Sequence, residues 1–594
     1  NLSVLDETIS VSGLVGVGGT HGTVHSGGNV KSQLGGTIGK VDDVTLTATD
    51  LAYVDATSQA TTVAGVASVP SGQADAIVDP IVQTLLTTNL HADGDVIMRS
   101  ESELDANADV ELNSVALLAA AGETDAFASI ELDMETVVAS GVAVYADGSI
   151  GLESRHNVDG AGNLLPFGAS ASAESANLAI GVTVADSVST AVSNPEVSTR
   201  ADQGAVLHAL QNVSLRSQSY SDAVADSDAT QVGAVGAGAV TAIAESGGSV
   251  ESVLNDVEYA FTQSGDIEVF ASTRNDSTVS AVGTATGIVG AGNATQADAT
   301  SSPDVSARVG ATNGIDAGWD ASVIALGSGD VMADSEGRSK SVLYDQGAVE
   351  SNGSYTPTVE SLVSPNADLT AGNNFELLAY GNALDASGTY DTDRSVVVNS
   401  VSHGVALVAG RSAISNSTVG SLVTAFLGED SSVYAGNDVN VNARSYTLVE
   451  TDADTKLTGL VGQACNARGV NTIDISTLSG TPSLTSVTGF SLSANNDIDM
   501  VSDTDLTSNV DTNAVVWAFG GATSSAINDD VVVNTGVLLG NGSSTIAGDD
   551  LLLEANKDLL QVTNAAVGGI ALTGANASAS CSPFTWVMVS AATI

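Results

Sequence analysis

The acidic residues of one short segment could coordinate a metal ion. The run NNDIDMVSDTD holds four aspartates within nine residues, namely Asp497, Asp499, Asp503 and Asp505. Carboxylate and amide oxygens are the ligands that Ca²⁺ takes in proteins. The same aspartates alternate with other residues, however, and on a β-strand most of them would share one solvated face. We therefore expect no cofactor, with calcium as the one exception that the sequence allows; this segment is its best candidate, and those around Asp452 and Asp391 are weaker.

The sequence contains no arrangement of residues that is typical of a catalytic site. His21 and His25 have a spacing that suits a metal on a helix, but the glycine-rich sequence around them predicts strand. A polysaccharide-active enzyme on a β-helix would need paired carboxylates and arginine in a groove. Only 4% of the residues are aromatic, so few side chains can stack on sugar rings. We predict that the protein is not an enzyme.

A short pattern recurs ten times along the chain. In each copy a turn residue, usually Asp or Asn after Gly, precedes a segment in which apolar and polar residues alternate. The ten turn positions are Asp43, Asp95, Ser149, Asn212, Asp266, Asp330, Asn374, Asp438, Asp497 and Asp550. Their separations of 52, 54, 63, 54, 64, 44, 64, 59 and 53 residues indicate a repeat of about 56 residues.

The alternation predicts a fold that is almost entirely β, because helical periodicity is nearly absent. Segments rich in Gly and Ala follow most turns by about 20 residues, as in VGAVGAGAVTAIA from Val232, and indicate close approach of another backbone. Units too small to fold alone can share one core by stacking. We predict an elongated parallel β-solenoid (β-helix) of about ten repeats, each winding into two or three coils. Independent sandwich domains are the alternative, but these need about 100 residues each.

Three of the repeats resemble a known family. The segments AGNDVNVNAR, AGDDLLLEAN and SGDIEVFAS are similar to repeats of filamentous-haemagglutinin-type adhesins and other large repetitive surface proteins of bacteria. The resemblance implies a right-handed parallel β-helix that is exported and projects from the cell. The Gly/Ala-rich segments and the longer period depart from the haemagglutinin repeat.

The two ends of the chain are nearly uncharged. Residues 8–30 and 559–594 contain no Asp, Glu, Lys or Arg, whereas the whole chain has a net charge of −54. We predict three segments: 1–42, a partial repeat with a docking strand; 43–549, nine solenoid repeats; and 550–594, a partial repeat with an uncharged docking face. The candidate assembly residues are Leu2, Val4, Ile9, Val11, Phe584 and Trp586. Contact between unlike ends of two copies would give a head-to-tail homopolymer.

Composition restricts the partners and the location. With 16 Lys and Arg against 70 Asp and Glu, nucleic acid is a poor partner, and no apolar run is long enough for membrane insertion. Cys465 and Cys581 lie 116 residues apart, or four to six coils, so we expect no disulfide between them.

We predict an extracellular or cell-surface structural protein, of bacterial type, that assembles end to end into a surface filament, sheath or matrix fibre. The alternative function is the stalk or passenger region of an adhesin, with a cell-surface or carbohydrate ligand. A β-helix polysaccharide-active enzyme ranks third.

Overall fold

The computed structural model describes residues 2–390, 395–480, 490–539 and 542–589. The side chains of residues 313, 461–463, 519–521, 569–584 and 586–589 are not part of that description. Within these limits the chain consists of strands, turns and bends. No helix in the described chain is long and apolar enough to cross a membrane.

Thirty-four strands follow one another along the described chain. In order, they are β1 (Leu2–Ser12), β2 (Val15–Leu34), β3 (Val44–Ala64), β4 (Ala67–Leu86), β5 (Leu90–Ala92), β6 (Val96–Ala116), β7 (Ala119–Ile130), β8 (Asp133–Val138), β9 (Ala143–Ala146), β10 (Ile150–His156), β11 (Ala169–Ala179), β12 (Val182–Ser193), β13 (Glu196–Ala201), β14 (Val206–Ala209), β15 (Val213–Ser246), β16 (Ser249–Leu254), β17 (Tyr259–Thr262), β18 (Ile267–Ser301), β19 (Asp304–Val309), β20 (Thr312–Ala317), β21 (Ala321–Ser328), β22 (Val331–Lys340), β23 (Tyr344–Tyr355), β24 (Thr358–Val363), β25 (Ala367–Ala371), β26 (Phe375–Gly381), β27 (Val396–Val405), β28 (Val408–Leu427), β29 (Ser432–Ala435), β30 (Val439–Gly480), β31 (Ser491–Ala494), β32 (Ile498–Leu539), β33 (Ser544–Ala547) and β34 (Leu551–Val589).

Apart from those at the two ends of the stack, the strands pair in parallel with the strands one repeat before and one repeat after them. Val44 lies opposite Val96, and Val96 in turn lies opposite Ile150. These offsets of 52 and 54 residues equal the separations of the turn residues, so each repeat forms a single coil. The prediction of an all-β parallel β-solenoid is therefore confirmed, but the prediction of two or three coils per repeat is wrong.

The coil is long because its two broad faces are wide. In the coil that begins at Asp43, β3 forms the first broad face, the chain turns at residues 65–66, and β4 forms the second. These strands contain 21 and 20 residues, so one circuit uses most of a repeat. The short β5 then crosses the narrow side and returns the chain to the next turn residue.

Two sheets run along the stack. The strands of the broad faces belong to one 25-stranded sheet that continues around the corner between them. The narrow side is a second sheet of nine short strands, β5, β9, β14, β17, β20, β25, β29, β31 and β33. The described chain forms eleven coils, the first made of β1 and β2, and ten spacings of about 4.8 Å extend about 50 Å along the axis.

Small side chains fill the interior between the broad faces. On β3 the buried positions include Val54, Ala56 and Ala60, and on β4 they include Ala74 and Ala76. Because such residues allow two sheets to approach closely, the interior needs few aromatic side chains, in agreement with the composition.

Hydroxyl groups cross the same interior in a continuous row. The oxygens of Thr84, Ser100, Thr136, Ser154 and Thr199 are linked in that order, with separations of 3.1, 3.0, 3.0 and 2.9 Å. Each of these buried polar groups has a partner, as buried polar groups require, and each link joins the two broad faces.

Insertions explain why some repeats are longer. Residues between β10 and β11 leave the first broad face and return to it, and residues between β26 and β27 do the same four coils later. Both β10 and β11 pair with the single strand β6, so the register resumes after the excursion. The repeats that begin at Ser149 and Asn374 consequently span 63 and 64 residues. The boundaries 1–42, 43–549 and 550–594 stay predictions.

Candidate functional site

A column of turn side chains links successive coils along the narrow side. At nine junctions a side-chain oxygen of one turn residue accepts the backbone N–H of the turn residue in the next coil. The pairs, with their N–O distances, are Asp43–Asp95 (2.9 Å), Asp95–Ser149 (2.8 Å), Ser149–Asn212 (3.4 Å), Asn212–Asp266 (2.9 Å), Asp266–Asp320 (3.1 Å), Asp320–Asn374 (2.9 Å), Asn374–Asp438 (3.3 Å), Asp438–Asp497 (3.2 Å) and Asp497–Asp550 (3.0 Å). We call this the turn column.

One predicted turn position is wrong. Asp320, and not Asp330, occupies the sixth place in the turn column. The sequence SGDVMADSE around Asp330 has the same Gly, acid and alternating pattern as a true turn, whereas Asp320 follows Trp319. With Asp320 in place, the separations of 64 and 44 residues become 54 and 54. Asp330 lies instead on the first broad face, where its N–H binds Asp276 Oδ1 at 3.0 Å.

Glycine directly precedes the turn residue at Asp95, Ser149 and Asp266, where the previous coil occupies the space that a side chain would take. A Cβ atom added to Gly94 would lie 1.9 Å from Asp43 Oδ1, and one added to Gly148 would lie 2.1 Å from Asp95 Oδ1. At these three positions the glycine is therefore a property of stacking, since a side-chain oxygen of the previous turn residue reaches over it.

The four calcium candidates do not converge on one point. Asp497 belongs to the turn column and binds the amide of Asp550, while Asp499, Asp503 and Asp505 lie along the outward face of β32. Among the described residues, no group of three or more His, Cys, Asp or Glu side chains is placed to hold a metal ion. Burial raises the pKa of Asp503 and Asp505, and the charge of Asp558 adds to this effect at both.

His21 and His25 lie on the outward face of β2, beside aspartates of the next coil. His25 Nε2 is 2.6 Å from Asp79 Oδ1, and His21 Nε2 is 3.9 Å from Asp75 Oδ2. The strand geometry expected from the glycine-rich sequence is confirmed.

A cluster of charged residues lies midway along the first broad face, and the sequence analysis missed it. Arg274 Nε is 3.0 Å from Asp276 Oδ2, and Arg274 Nη2 is 3.0 Å from Asp330 Oδ2. Tyr220 donates its hydroxyl to Asp276 at 3.3 Å, and Asp222 lies opposite Asp276 in the register. The signal that could have revealed the cluster is the 54-residue spacing of Asp222, Asp276 and Asp330.

Two carboxyl groups of this cluster, those of Asp222 and Asp276, have raised pKa values. Burial raises the pKa of Asp222 to about 6, and the charge of Asp276 adds to that effect. Burial also raises the pKa of Asp276, although Arg274 opposes the rise. A carboxyl with a raised pKa beside an ionised one is the pairing that acid–base catalysis uses. Here Arg274 and Tyr220 bind Asp276, an arrangement that also occurs in structural ion-pair networks.

A cleft of about 440 Å³ lies beside the charged cluster, where the two inserted loops approach each other. Leu164 from the first loop and Leu384 from the second form its sides, and Phe270, Arg274 and Leu326 contribute to its floor. The volume of the cleft gives it room for a small ligand. Its apolar walls and the paired guanidinium of Arg274 suit a ligand that is partly polar.

The assembly candidates at the N-terminal end are exposed. Leu2 and Val4 point toward the interior side of β1 and are 49% and 39% exposed, while Ile9 and Val11 point outward. In the described chain β1 pairs with β3 alone. Phe584 and Trp586 lie on β34 opposite Asn534 and Gly536, and their side chains fall outside the description.

The two cysteines are two coils apart rather than four to six. Cys465 is buried with a free thiol, and burial raises its pKa to about 12. The backbone of Cys581 lies opposite Val531, whereas that of Cys465 lies opposite Thr523. The predicted coil count was wrong because it assumed several coils in each repeat.

Comparison with known proteins found no match to a family model, to a curated protein or to a solved structure. The resemblance to filamentous-haemagglutinin-type proteins therefore stays a prediction.

Proposed function

We propose that the protein is a structural β-solenoid of the cell surface or extracellular space, without catalytic activity, whose coils stack end to end in a filament, sheath or matrix fibre. The observation that supports this function best is the turn column. It repeats the same side-chain-to-backbone bond at nine successive junctions, so each coil presents to the next the groups that the previous coil presented to it.

Strand pairing supports the same function. β1 pairs with β3, and β2 pairs with β4. Within the described chain the other edges of β1 and β2 have no partner strand. A row of unpaired N–H and C=O groups on a strand edge is a template for another strand. A coil from a second copy would satisfy these groups and cover the apolar side chains of Leu2 and Val4, both of which lie over the interior.

The geometry of an end-to-end contact gives a further reason for a filament. The described coils extend about 50 Å along the axis at the usual strand spacing. A heterologous contact between unlike ends repeats without closing, and its product is a filament.

Electron microscopy of the purified protein tests the proposal. We expect filaments that lengthen with protein concentration. The double variant Leu2→Asp/Val4→Asp places charges on the exposed face of the first coil and should stop elongation. The control Leu5→Asp/Leu51→Asp adds the same charge at outward positions that are 66% and 55% exposed, and it should elongate normally.

Single units of constant length at every concentration would contradict the filament. If such units also bound cell-surface glycans, the stalk of an adhesin would become the better assignment. Release of sugars from acidic or neutral polysaccharides would overturn the non-catalytic assignment, and Asp222→Asn would then show whether the charged cluster is responsible.

A further inference from the structure

The corner between the two broad faces carries exposed apolar side chains in ten successive coils, from the coil of Val11 to the coil of Trp517. We call this corner the apolar edge. Val11, Leu118, Ile180, Ile288 and Val342 are representative, with exposed fractions of 77, 57, 71, 65 and 62%. Single exposed apolar residues are common on protein surfaces, but a row that continues through ten successive coils is not.

The apolar edge is also almost free of charge. Two charged residues within it, Asp345 and Arg411, are buried and form an ion pair, in which Arg411 Nη2 lies 3.2 Å from Asp345 Oδ1. Lys340 stands at its margin, and the exposed Glu123 and Asp186 stand in the row that continues to Ala348 on the second broad face. The rest of the molecule carries most of a net charge of −54, so two copies that met through their broad faces would repel each other. The apolar edge is the surface through which two copies can approach with the least repulsion.

A groove runs beside the apolar edge on the second broad face. It has a volume of about 910 Å³ and crosses six coils. Its floor is formed by small residues, among them Gly292, Ala348, Gly410, Ala464 and Ala522. A row of large apolar side chains next to a row of small ones is a self-complementary shape. In a two-fold arrangement the edge of each copy enters the groove of the other, as an isologous contact requires.

The size of the surface suits such a contact. Ten coils at about 4.8 Å give a length near 48 Å, and a width of about 15 Å gives roughly 700 Å² on each copy. Stable interfaces bury about 800 Å² on each partner, and the largest apolar patch of a typical monomer is only about 300–600 Å².

We propose that two copies of this chain pack side by side, antiparallel, through the apolar edge and its groove. This lateral contact does not rest on the proposed end-to-end stacking, because it uses side chains along the whole stack and leaves both ends free.

Analytical ultracentrifugation tests the lateral contact. The measurements use the Leu2→Asp/Val4→Asp background, so that axial stacking does not contribute. We expect this protein to form dimers at micromolar concentration. Adding Ile180→Asp/Ile288→Asp introduces four charges into each interface and should weaken dimerisation by at least about 100-fold. The matched control Leu51→Asp/Met332→Asp adds the same charge on the first broad face and should dimerise normally.

Salt and lipid provide independent readouts. Because both copies are strongly acidic, 0.5 M NaCl should strengthen dimerisation by screening their repulsion, and circular dichroism should show that all variants keep the same β content. A protein that stays monomeric, or an Ile180→Asp/Ile288→Asp variant that dimerises like the control, would overturn the proposal. Binding of a monomer to phosphatidylcholine vesicles, lost in the same variant, would assign the apolar edge to lipid instead.

Discussion

At the scale of single residues, stacking places like charges one coil apart. Glu111, Glu174 and Asp228 occupy the same position in three successive coils. Burial raises the pKa of Glu174, and the charges of Asp228 and Glu111 raise it further. A carboxyl in such a column binds protons more readily than one in the unfolded chain, so its ionisation opposes folding.

Asp222 gives the sharpest test of this effect. Its folded pKa is about 6, above the usual value of 3.8, so the stability that it contributes is complete below about pH 4 and is lost as the pH rises through 6. We expect Asp222→Asn to raise the free energy of unfolding by about 1–2 kcal/mol at pH 7.5 and to leave it unchanged at pH 3.5. Urea unfolding at the two pH values measures the difference.

Asp42→Asn is the matched control for that measurement, because it removes the same charge from an exposed position. Equal stabilisation by the two substitutions would mean that net charge, and not burial at Asp222, is responsible.

At the scale of the structural element, the turn column should contribute one hydrogen bond at each junction. Asp95 Oδ1 accepts the amide of Ser149 at 2.8 Å. We expect Asp95→Ala to leave this amide without its side-chain acceptor and to cost about 1 kcal/mol. Asp95→Asn keeps an acceptor oxygen and should be nearly neutral. Hydrogen exchange at Ser149 should accelerate only in the alanine variant; equal exchange in both would contradict the role assigned to Oδ1.

The corner depends on close contact between backbones, as the Gly/Ala-rich sequences predicted. A Cβ atom at Gly181 would lie 2.0 Å from the carbonyl oxygen of Leu118, and one at Gly65 would lie 2.2 Å from that of Gly13. We expect Gly181→Ala to destabilise the protein by about 1–3 kcal/mol.

Gly410→Ala is its control, since no atom lies within 4 Å of the added Cβ. Thermal unfolding of the two variants should therefore differ, and a Gly181→Ala variant as stable as the control would show that the corner can relax.

At the scale of the whole molecule, the acidic columns should reverse the usual response to acid. Burial raises the pKa of many outward aspartates, including Asp226, Asp228, Asp334 and Asp452. The folded state therefore binds more protons than the unfolded chain between about pH 4 and 6, and stability falls as the pH rises through this range. We expect a higher Tm at pH 5 than at pH 8, with the difference reduced in 0.5 M NaCl.

Scanning calorimetry at both pH values gives the comparison. A Tm that decreases from pH 8 to pH 5 would show that ion pairs such as Arg216–Glu268, at 2.5 Å, outweigh the repulsion between coils.

Local pattern was enough to predict most of the fold. Alternation of side chains has a period of two on any strand, and the turn residues recur at intervals that the chain itself displays. The β class, the parallel stack and nine of the ten turn positions follow from these two regularities. The error at Asp330 arose because a bend within the broad face uses the same Gly-Asp sequence as the turn column.

The sequence by itself determined the period of the repeat, the small-residue interior and the glycine-rich corners, because each of these is a pattern of residue types that recurs along the chain. Only the tertiary structure decided how many coils a repeat makes and which residues meet between coils. Residues that contact each other between coils of a solenoid are separated in the sequence by the length of one coil. That length depends on where a strand bends without leaving its sheet. The charged cluster around Arg274, the cleft between the inserted loops and the apolar edge all arise from that register.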